Sequence, residues 1–294
     1  MEDFQAYWQV AVSRVDQALD RYMPASDLVE ERLHEAMRYS VFAGGKRLRP
    51  LLCLTVAQAC GLSEEALLPA ACALEMVHTY SLIHDDLPAM DDDDYRRGKL
   101  TNHKVFGEAT ALLAGDALLT CAFETLLASD VPASSLVLMV KELAQASGAA
   151  GMIGGQMGDM AAEGRAVTRT ELESIHARKT GALLLASARI PVIAAGCDDV
   201  TTRAVTAYAK AIGLAFQIQD DVLDVSGDPV KMGKSVGADV SHDKATFPSL
   251  IGLTASRQLI HELTKQAVEV IVRTPHLQSE RLVQLAEYLR SRDR

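Results

Sequence analysis

The chain has 294 residues, long enough to bury a large core, with 49% apolar residues but only 5% aromatics. Lys and Arg total 29 against 39 Asp and Glu, a net charge of −10. That balance excludes a general nucleic-acid binder, because a phosphate backbone is held by positive charge; small anionic ligands stay possible where metals or clustered cations offset the field.

The apolar set is dominated by Ala and aliphatic residues; Ala and Leu favour helix, whereas strands are rich in aromatic and β-branched residues. Apolar residues recur at three- and four-residue spacing over 4–22, 28–42, 51–60, 65–84, 109–128, 134–147, 170–195, 201–225, 256–274 and 279–290. Gly44-Gly45, Gly61, Gly98, Pro132, Gly164 and Gly196 punctuate them. Ser26-Asp27, Ser63 before Glu64-Glu65, and Thr168 with Glu171 read as helix starts, the last as a capping box. No Pro/Ser-rich linker and no repeat divides the chain, so an all-α single domain over 1–294 is expected. Stretches 118–127 and 183–195 are apolar around most of a helix circumference. Such helices must be buried in a central bundle or a subunit interface.

The five cysteines, Cys53, Cys60, Cys72, Cys121 and Cys197, are odd in number and lack zinc spacing, so they read as reduced core thiols. Residues 1–10 lack a basic segment followed by an apolar run, and the most apolar region, 182–197, is broken by Ser187, Arg189 and Pro191. A soluble, cytoplasmic protein without membrane insertion is expected.

Two aspartate clusters lie far apart: Asp85-Asp86 with Asp91 and Asp92–Asp94, and Asp220-Asp221 with Asp224. Asp220 and Asp224 are one helical turn apart, and Gln217 lies a turn earlier on nearly the same side. Like charges so placed need a cation or solvent between them, and oxygen donors suit Mg²⁺. Asp85 and Asp91 are six apart, on different faces of an ideal helix, so the chain must unwind near Pro88 for both to reach one metal. His78, seven before Asp85, shares its stripe. Acids at a helix C-terminus oppose its dipole, which calls for compensation by a cation. Asp92–Asp94 read as a solvated turn.

Basic segments narrow the chemistry. Gly44-Gly45-Lys46-Arg47-Leu48-Arg49-Pro50 is a glycine-led turn opening a helix with three cations. Arg96-Arg97-Gly98-Lys99 follows the first acid cluster, Lys179-Thr180-Gly181 interrupts a helical region, and Lys234 and Lys244 follow the second cluster. Backbone amides with Lys and Arg make anion sites, and metals bridge carboxylate to phosphate, so the joint pattern points to phosphate chemistry.

These elements, in this order over about 28–250, resemble the trans-isoprenyl diphosphate synthases, nearest to the bacterial farnesyl type: Gly44–Pro50, the run from Glu75 through His78, Tyr80 and His84 to Asp85-Asp86 and Asp91, Arg96-Arg97-Gly98, Lys179-Thr180, and Gln217 to Asp224. The resemblance implies an isoprenoid-synthase helical bundle around a central cavity, the two clusters facing across its mouth, and a homodimer. It implies metal ligation by Asp85, Asp91 and Asp220, supported by Asp86, Asp221 and Asp224, with about three Mg²⁺ per site and Mn²⁺ able to substitute. Arg96, Lys179, Thr180, Gln217 and Lys234 would hold an allylic diphosphate, and Lys46, Arg49, His78 and Arg97 isopentenyl diphosphate. Tyr80 and Ser81, five and four before Asp85, would limit product length, and Pro88-Ala89 within the first cluster fits a fifteen-carbon product. The Gly154-Gly155-Gln156-Met157-Gly158-Asp159 segment belongs to the resemblance without an assigned chemistry. His34, His84, His103, His176, Met152 and Met157 are expected to pack or to face solvent.

Overall fold

A computed structural model describes residues 2–24, 31–226 and 246–292. The all-α expectation holds: the described residues are 77% helical. The helices are α1 (Glu2–Tyr22), α2 (Glu31–Val41), α3 (Leu48–Ala59), α4 (Glu64–Asp85), α5 (Asn102–Phe106), α6 (Glu108–Leu127), α7 (Ala133–Ser147), α8 (Met152–Met160), α9 (Arg169–Lys179), α10 (Gly181–Ala195), α11 (Asp199–Ser226), α12 (Phe247–Ile251), α13 (Leu253–Val272) and α14 (Glu280–Ser291). The Ser26-Asp27 start signal, Lys234 and Lys244 lie outside the described residues.

The centre of the bundle is α4. Ser63 caps it by accepting a bond from the Glu65 N–H at 3.2 Å, and Glu64 and Glu65 in its first turn complement the dipole. Its apolar residues occur on every side, so neighbours must surround it: α6 and α3 pack against it most extensively, with α1, α2 and α10 adding to the enclosure. Leu74, Met76 and Ile83 of α4 meet Leu118, Ala122 and Leu126 of α6 in the largest core cluster. A second cluster joins α3, α10, α11 and α14 around Tyr208, whose hydroxyl donates to the Leu282 carbonyl at 2.7 Å. A third joins α9, α11, α12 and α13 around Phe247 and Ile218. Each fully buried large side chain stabilises by about 1.5–3 kcal/mol.

Three helical segments, Glu64–Asp85, Glu108–Leu127 and Ala133–Met160, are long and apolar enough by length and composition to cross a membrane. This corrects the sequence reading that no uninterrupted stretch approaches membrane-spanning length; 182–197 remains the most apolar region but is shorter. The first segment is a core helix, 78% buried in its apolar window, whereas the other two are 44% and 33% buried. They leave Leu112, Leu113, Leu127, Val137 and Leu138 exposed; within 118–127, Leu118, Ala122 and Leu126 are buried in the bundle, and the exposed face is of the kind for which the sequence reading also allowed a subunit interface. The strongly apolar α10 is enclosed, with Leu183, Ala186, Ile190 and Val192 buried.

The irregular segment between α4 and α5 holds a two-residue antiparallel pair, β1 (Tyr95–Arg96) with β2 (Lys99–Leu100), in register Arg96↔Lys99. Arg97 (φ 54°) and Gly98 (φ 75°) turn it; two successive left-handed residues match the twist of a two-residue hairpin. This pair, α5, α8 and α12 were not anticipated, being too short for a periodic signal.

Candidate active site

At the C-terminus of α4 the helix ends at Asp85 and the chain coils back through Pro88. The Met90 N–H donates to the Leu87 carbonyl at 2.8 Å, and the Asp91 N–H to the Asp85 carbonyl at 2.9 Å. That turn accomplishes the unwinding expected of the six-residue spacing and returns Asp91 to Asp85. Burial pushes the Asp85 carboxyl up to about 6, an effect that Lys179 opposes and the Asp91 charge reinforces. Asp86 turns inward instead, where Arg96 clamps it through Nε at 2.6 Å and Nη2 at 2.5 Å. Asp93 and Asp94 are not merely solvated: Asp93 lies 3.5 Å from Arg96 and Asp94 2.7 Å from Lys104.

The glycine-led turn divides its cations. Lys46 is exposed. Arg47 is not an anion-site residue: left-handed at φ 51°, it buries its guanidinium on Asp16 (2.9 Å), Glu75 (2.9 Å) and the Val41 carbonyl (2.7 Å). Arg49, on the first turn of α3, reaches the interior, where burial lowers its pKa to about 10 despite the favourable charges of Glu75 and Asp220. Its Nε is buried and without a partner among the described residues. Arg97 comes from the hairpin to donate to the Gly44 carbonyl. Its guanidinium lies where a Gly45 Cβ would be, 2.5 Å from Nη1, so only glycine permits this approach. Burial, and then the charges of Arg49, Arg97, Arg96 and Arg47, keep His78 well below its ordinary pKa and hence neutral.

Arg49, His78, Asp85, Lys179 and Thr180 share one cavity of about 440 Å³ with Tyr80 and Ser81. The remaining wall is Leu82, Met90, Met152, Ile153, Gln156, Met157 and Met160. Polar groups thus concentrate around Asp85 while the rest of the lining is largely apolar. Ser81 donates to the His78 carbonyl at 2.8 Å. Tyr80 is 4% exposed, its hydroxyl has no hydrogen-bond partner among the described residues, and its ring stands edge-on to His84 at 5.7 Å. His84, expected to be packing or surface, belongs to this lining; its ring sits over Gly115, and Nε2 lies 3.0 Å from the Leu112 carbonyl.

Lys179 ends α9 at the break that the Lys179-Thr180-Gly181 segment predicts. Its Nζ is 2.5 Å from Asp159 Oδ2 on α8. The apolar and amide faces of α8, with Met152, Gln156 and Met160 at i, i+4 and i+8, look into the cavity. The spacing was available in the sequence, but nothing in it said which neighbour that face would meet.

The second cluster ends α11. Asp220 and Asp224 occupy one stripe in different surroundings: Asp224 is 1% exposed, whereas the Asp220 side chain is 41% exposed and accepts from Arg292 Nη2 at 2.6 Å. Arg292 also donates to the Phe216 carbonyl at 2.9 Å and lies 3.9 Å over the Phe216 ring. The Gln217 amide is turned to Asp221, at 3.3 Å, rather than between Asp220 and Asp224. Asp221 also accepts from the Phe247 N–H at 2.9 Å. Neither Asp220 nor Gln217 is among the residues around the 440 Å³ cavity; Asp220 is connected to it through the charge of Arg49. Arg292 has no counterpart in the sequence reading, and no motif announces it.

Among the described residues no three His, Cys, Asp or Glu side chains form a ready-made metal cage. The donors nonetheless fit Mg²⁺. Asp85 and Asp91 supply only oxygens, and a cation would offset both the burial of the Asp85 charge and its repulsion by Asp91. Mg²⁺ typically takes one or two carboxylates and completes its shell with water and phosphate oxygens.

A sequence profile of the polyprenyl synthetases matches residues 30–279. The chain belongs to the polyprenyl synthetase family. This polyprenyl synthetase is 49% identical to the farnesyl diphosphate synthase of Micrococcus luteus over 86% of each chain. It is 44% identical to the chloroplastic geranylgeranyl pyrophosphate synthase of Catharanthus roseus over 99% of its own length and 82% of that protein. Its fold is that of the crystal structure of an FPP/GFPP synthase from Zymomonas mobilis, with a TM-score of 0.86, 36% identity, and 98% and 99% of the two chains covered.

Proposed function

We propose that this polyprenyl synthetase joins isopentenyl diphosphate head-to-tail to dimethylallyl and geranyl diphosphates, giving (2E,6E)-farnesyl diphosphate. The observation that carries the reading is the single cavity in which Asp85, Lys179, Thr180, Arg49 and His78 are gathered against an apolar wall containing Tyr80. Asp85, Asp91 and Asp220 would hold Mg²⁺, which would supply the charge neutralisation that a departing diphosphate needs. Lys179 and Thr180 hold the departing diphosphate with Gln217, and Arg96 joins them once released from Asp86; the family resemblance adds Lys234, outside the described residues, to this set. Lys46, Arg49, Arg97 and neutral His78 hold isopentenyl diphosphate so that its double bond faces the allylic carbon. The methionine-rich wall excludes water from the allylic cation, which would otherwise hydrolyse. The departing diphosphate accepts the proton lost on condensation, so no side-chain base is assigned.

Tyr80 narrows the apolar end and supports a fifteen-carbon product. The similarity to a geranylgeranyl pyrophosphate synthase over nearly the whole chain keeps a twenty-carbon product as the alternative. The reading includes about three metal ions per site, a cytoplasmic setting, and a homodimer in which the exposed leucines and valines of α6 and α7 are covered by a second copy. The test is turnover of the purified chain with Mg²⁺ and both diphosphates, with product length read by chromatography. A fifteen-carbon product is expected; no product would end the proposal, and a twenty-carbon product would favour the alternative.

A further inference from the structure

The Gly154–Asp159 segment is left without a task by the reaction just described, and its surroundings supply one. Gly155 packs backbone to backbone on the end of α9: a Cβ there would lie 2.1 Å from the Lys179 backbone nitrogen and 2.5 Å from its Cα. No residue with a side chain permits that approach. One turn further on, Asp159 accepts from Lys179 Nζ at 2.5 Å, both side chains being largely buried, with 20% and 26% exposure. Among the ion pairs of the described residues, Asp159 is joined to Lys179 alone, and His176, the nearby titratable group on α9, is held neutral by burial.

Lys179 has two anionic neighbours of opposite consequence. Asp159 holds it from α8, and Asp85 feels its charge across the cavity. A lysine has a long, flexible stem whose ordering costs side-chain entropy. Left unanchored, its ammonium is free to move towards the other carboxylate whose charge it meets across the cavity, Asp85, the proposed metal ligand. A lysine seated on Asp85 would oppose metal binding and be unavailable to a diphosphate.

We infer that Asp159 is a positioning residue: it anchors the Lys179 ammonium at the cavity wall, beside Asp85 but not on it, so that the cation is already ordered when a Mg²⁺-bound diphosphate arrives. This rests on the reading of Lys179 as a diphosphate ligand. Asp159 does not touch the reacting atoms and acts through Lys179, with Gly155 setting the approach of the two helices.

The test is a double-mutant cycle of Asp159→Asn and Lys179→Met. It is read by calorimetric titration of inorganic diphosphate in the presence of Mg²⁺ and by steady-state kinetics. Asp159→Asn is expected to weaken Mg²⁺-diphosphate binding and raise the KM for the allylic substrate about 5–20-fold, with the KM for isopentenyl diphosphate changed less than twofold. Half-saturation is expected to need several-fold more Mg²⁺, and Asp159→Glu should restore part of the loss. In the Lys179→Met background, Asp159→Asn should have no further effect, and circular dichroism should show both variants folded. If the two substitutions act additively, or if Asp159→Asn alone leaves diphosphate binding unchanged, Asp159 is not the anchor. If Lys179→Met itself binds Mg²⁺-diphosphate like the parent, the assignment of Lys179 fails, and the anchor with it.

Discussion

Replacing Asp85 by Asn should abolish turnover and yet stabilise the metal-free protein. The structure gives the size of the effect. The Asp85 carboxyl is pushed from an ordinary 3.8 to about 6, first by burial and then by Asp91 and Asp86, with Lys179 and Arg96 opposing. That rise corresponds to about 3 kcal/mol disfavouring the charged form, and partial solvent contact reduces it to about 1–2 kcal/mol. Because the folded pKa lies above the unfolded one, the protonated group's contribution to stability is complete below about pH 4. It is lost as pH rises through about 6. The advantage of Asp85→Asn should therefore be near zero at pH 4, grow between pH 4 and 6, and stay constant at pH 7–8. Urea denaturation in EDTA across that range reads it directly. Adding Mg²⁺ with diphosphate should reverse the order, stabilising the parent and leaving the variant unmoved. A variant less stable than the parent at pH 8 in EDTA, or an advantage already full at pH 4, would refute the reasoning.

Tyr80→Ala removes the aromatic ring from the apolar end of the cavity, and its products should shift towards twenty carbons; unchanged chromatograms would remove Tyr80 as the stop. Arg47→Met breaks a buried pair with Glu75 and should lower stability by about 3–5 kcal/mol, while the KM for isopentenyl diphosphate, per folded molecule, stays within about twofold. A large KM change with little loss of stability would return Arg47 to the anion site. Arg292→Ala removes an ion pair to a half-exposed carboxylate and a cation–π contact, and should cost about 1–2 kcal/mol in chemical denaturation.

Much of this was legible in the sequence because its signals are local. The 3.6-residue period located the long helices, and the Thr168–Glu171 capping box is present, with Glu171 accepting from the Thr168 N–H at 2.8 Å. The six-residue spacing of Asp85 and Asp91, with Pro88 between, foretold the unwound turn. Long-range partners were not legible. Arg47 sits among the cations of one motif, and only the fold brings Asp16 and Glu75 to it. Gln217 was placed by helical spacing, but the choice between Asp220 and Asp221 depends on side-chain rotamers. Arg292 lies 72 residues from Asp220 and carries no motif. The five-residue helices α5 and α12 are too brief to show a period. The exposed leucines and valines of α6 and α7 mark where burial by periodicity overreaches, since an apolar helix can face either the core or another molecule.

The claim on which the rest depends is that both aspartate clusters serve one diphosphate. A crystal structure with Mg²⁺, isopentenyl diphosphate and an unreactive allylic diphosphate analogue tests it. We expect metal ions joining Asp85 and Asp91 to the same diphosphate group that Asp220 reaches through its own ion, with Arg292 drawn off Asp220. Metal at one cluster only, or a diphosphate bound away from Lys179, would contradict it.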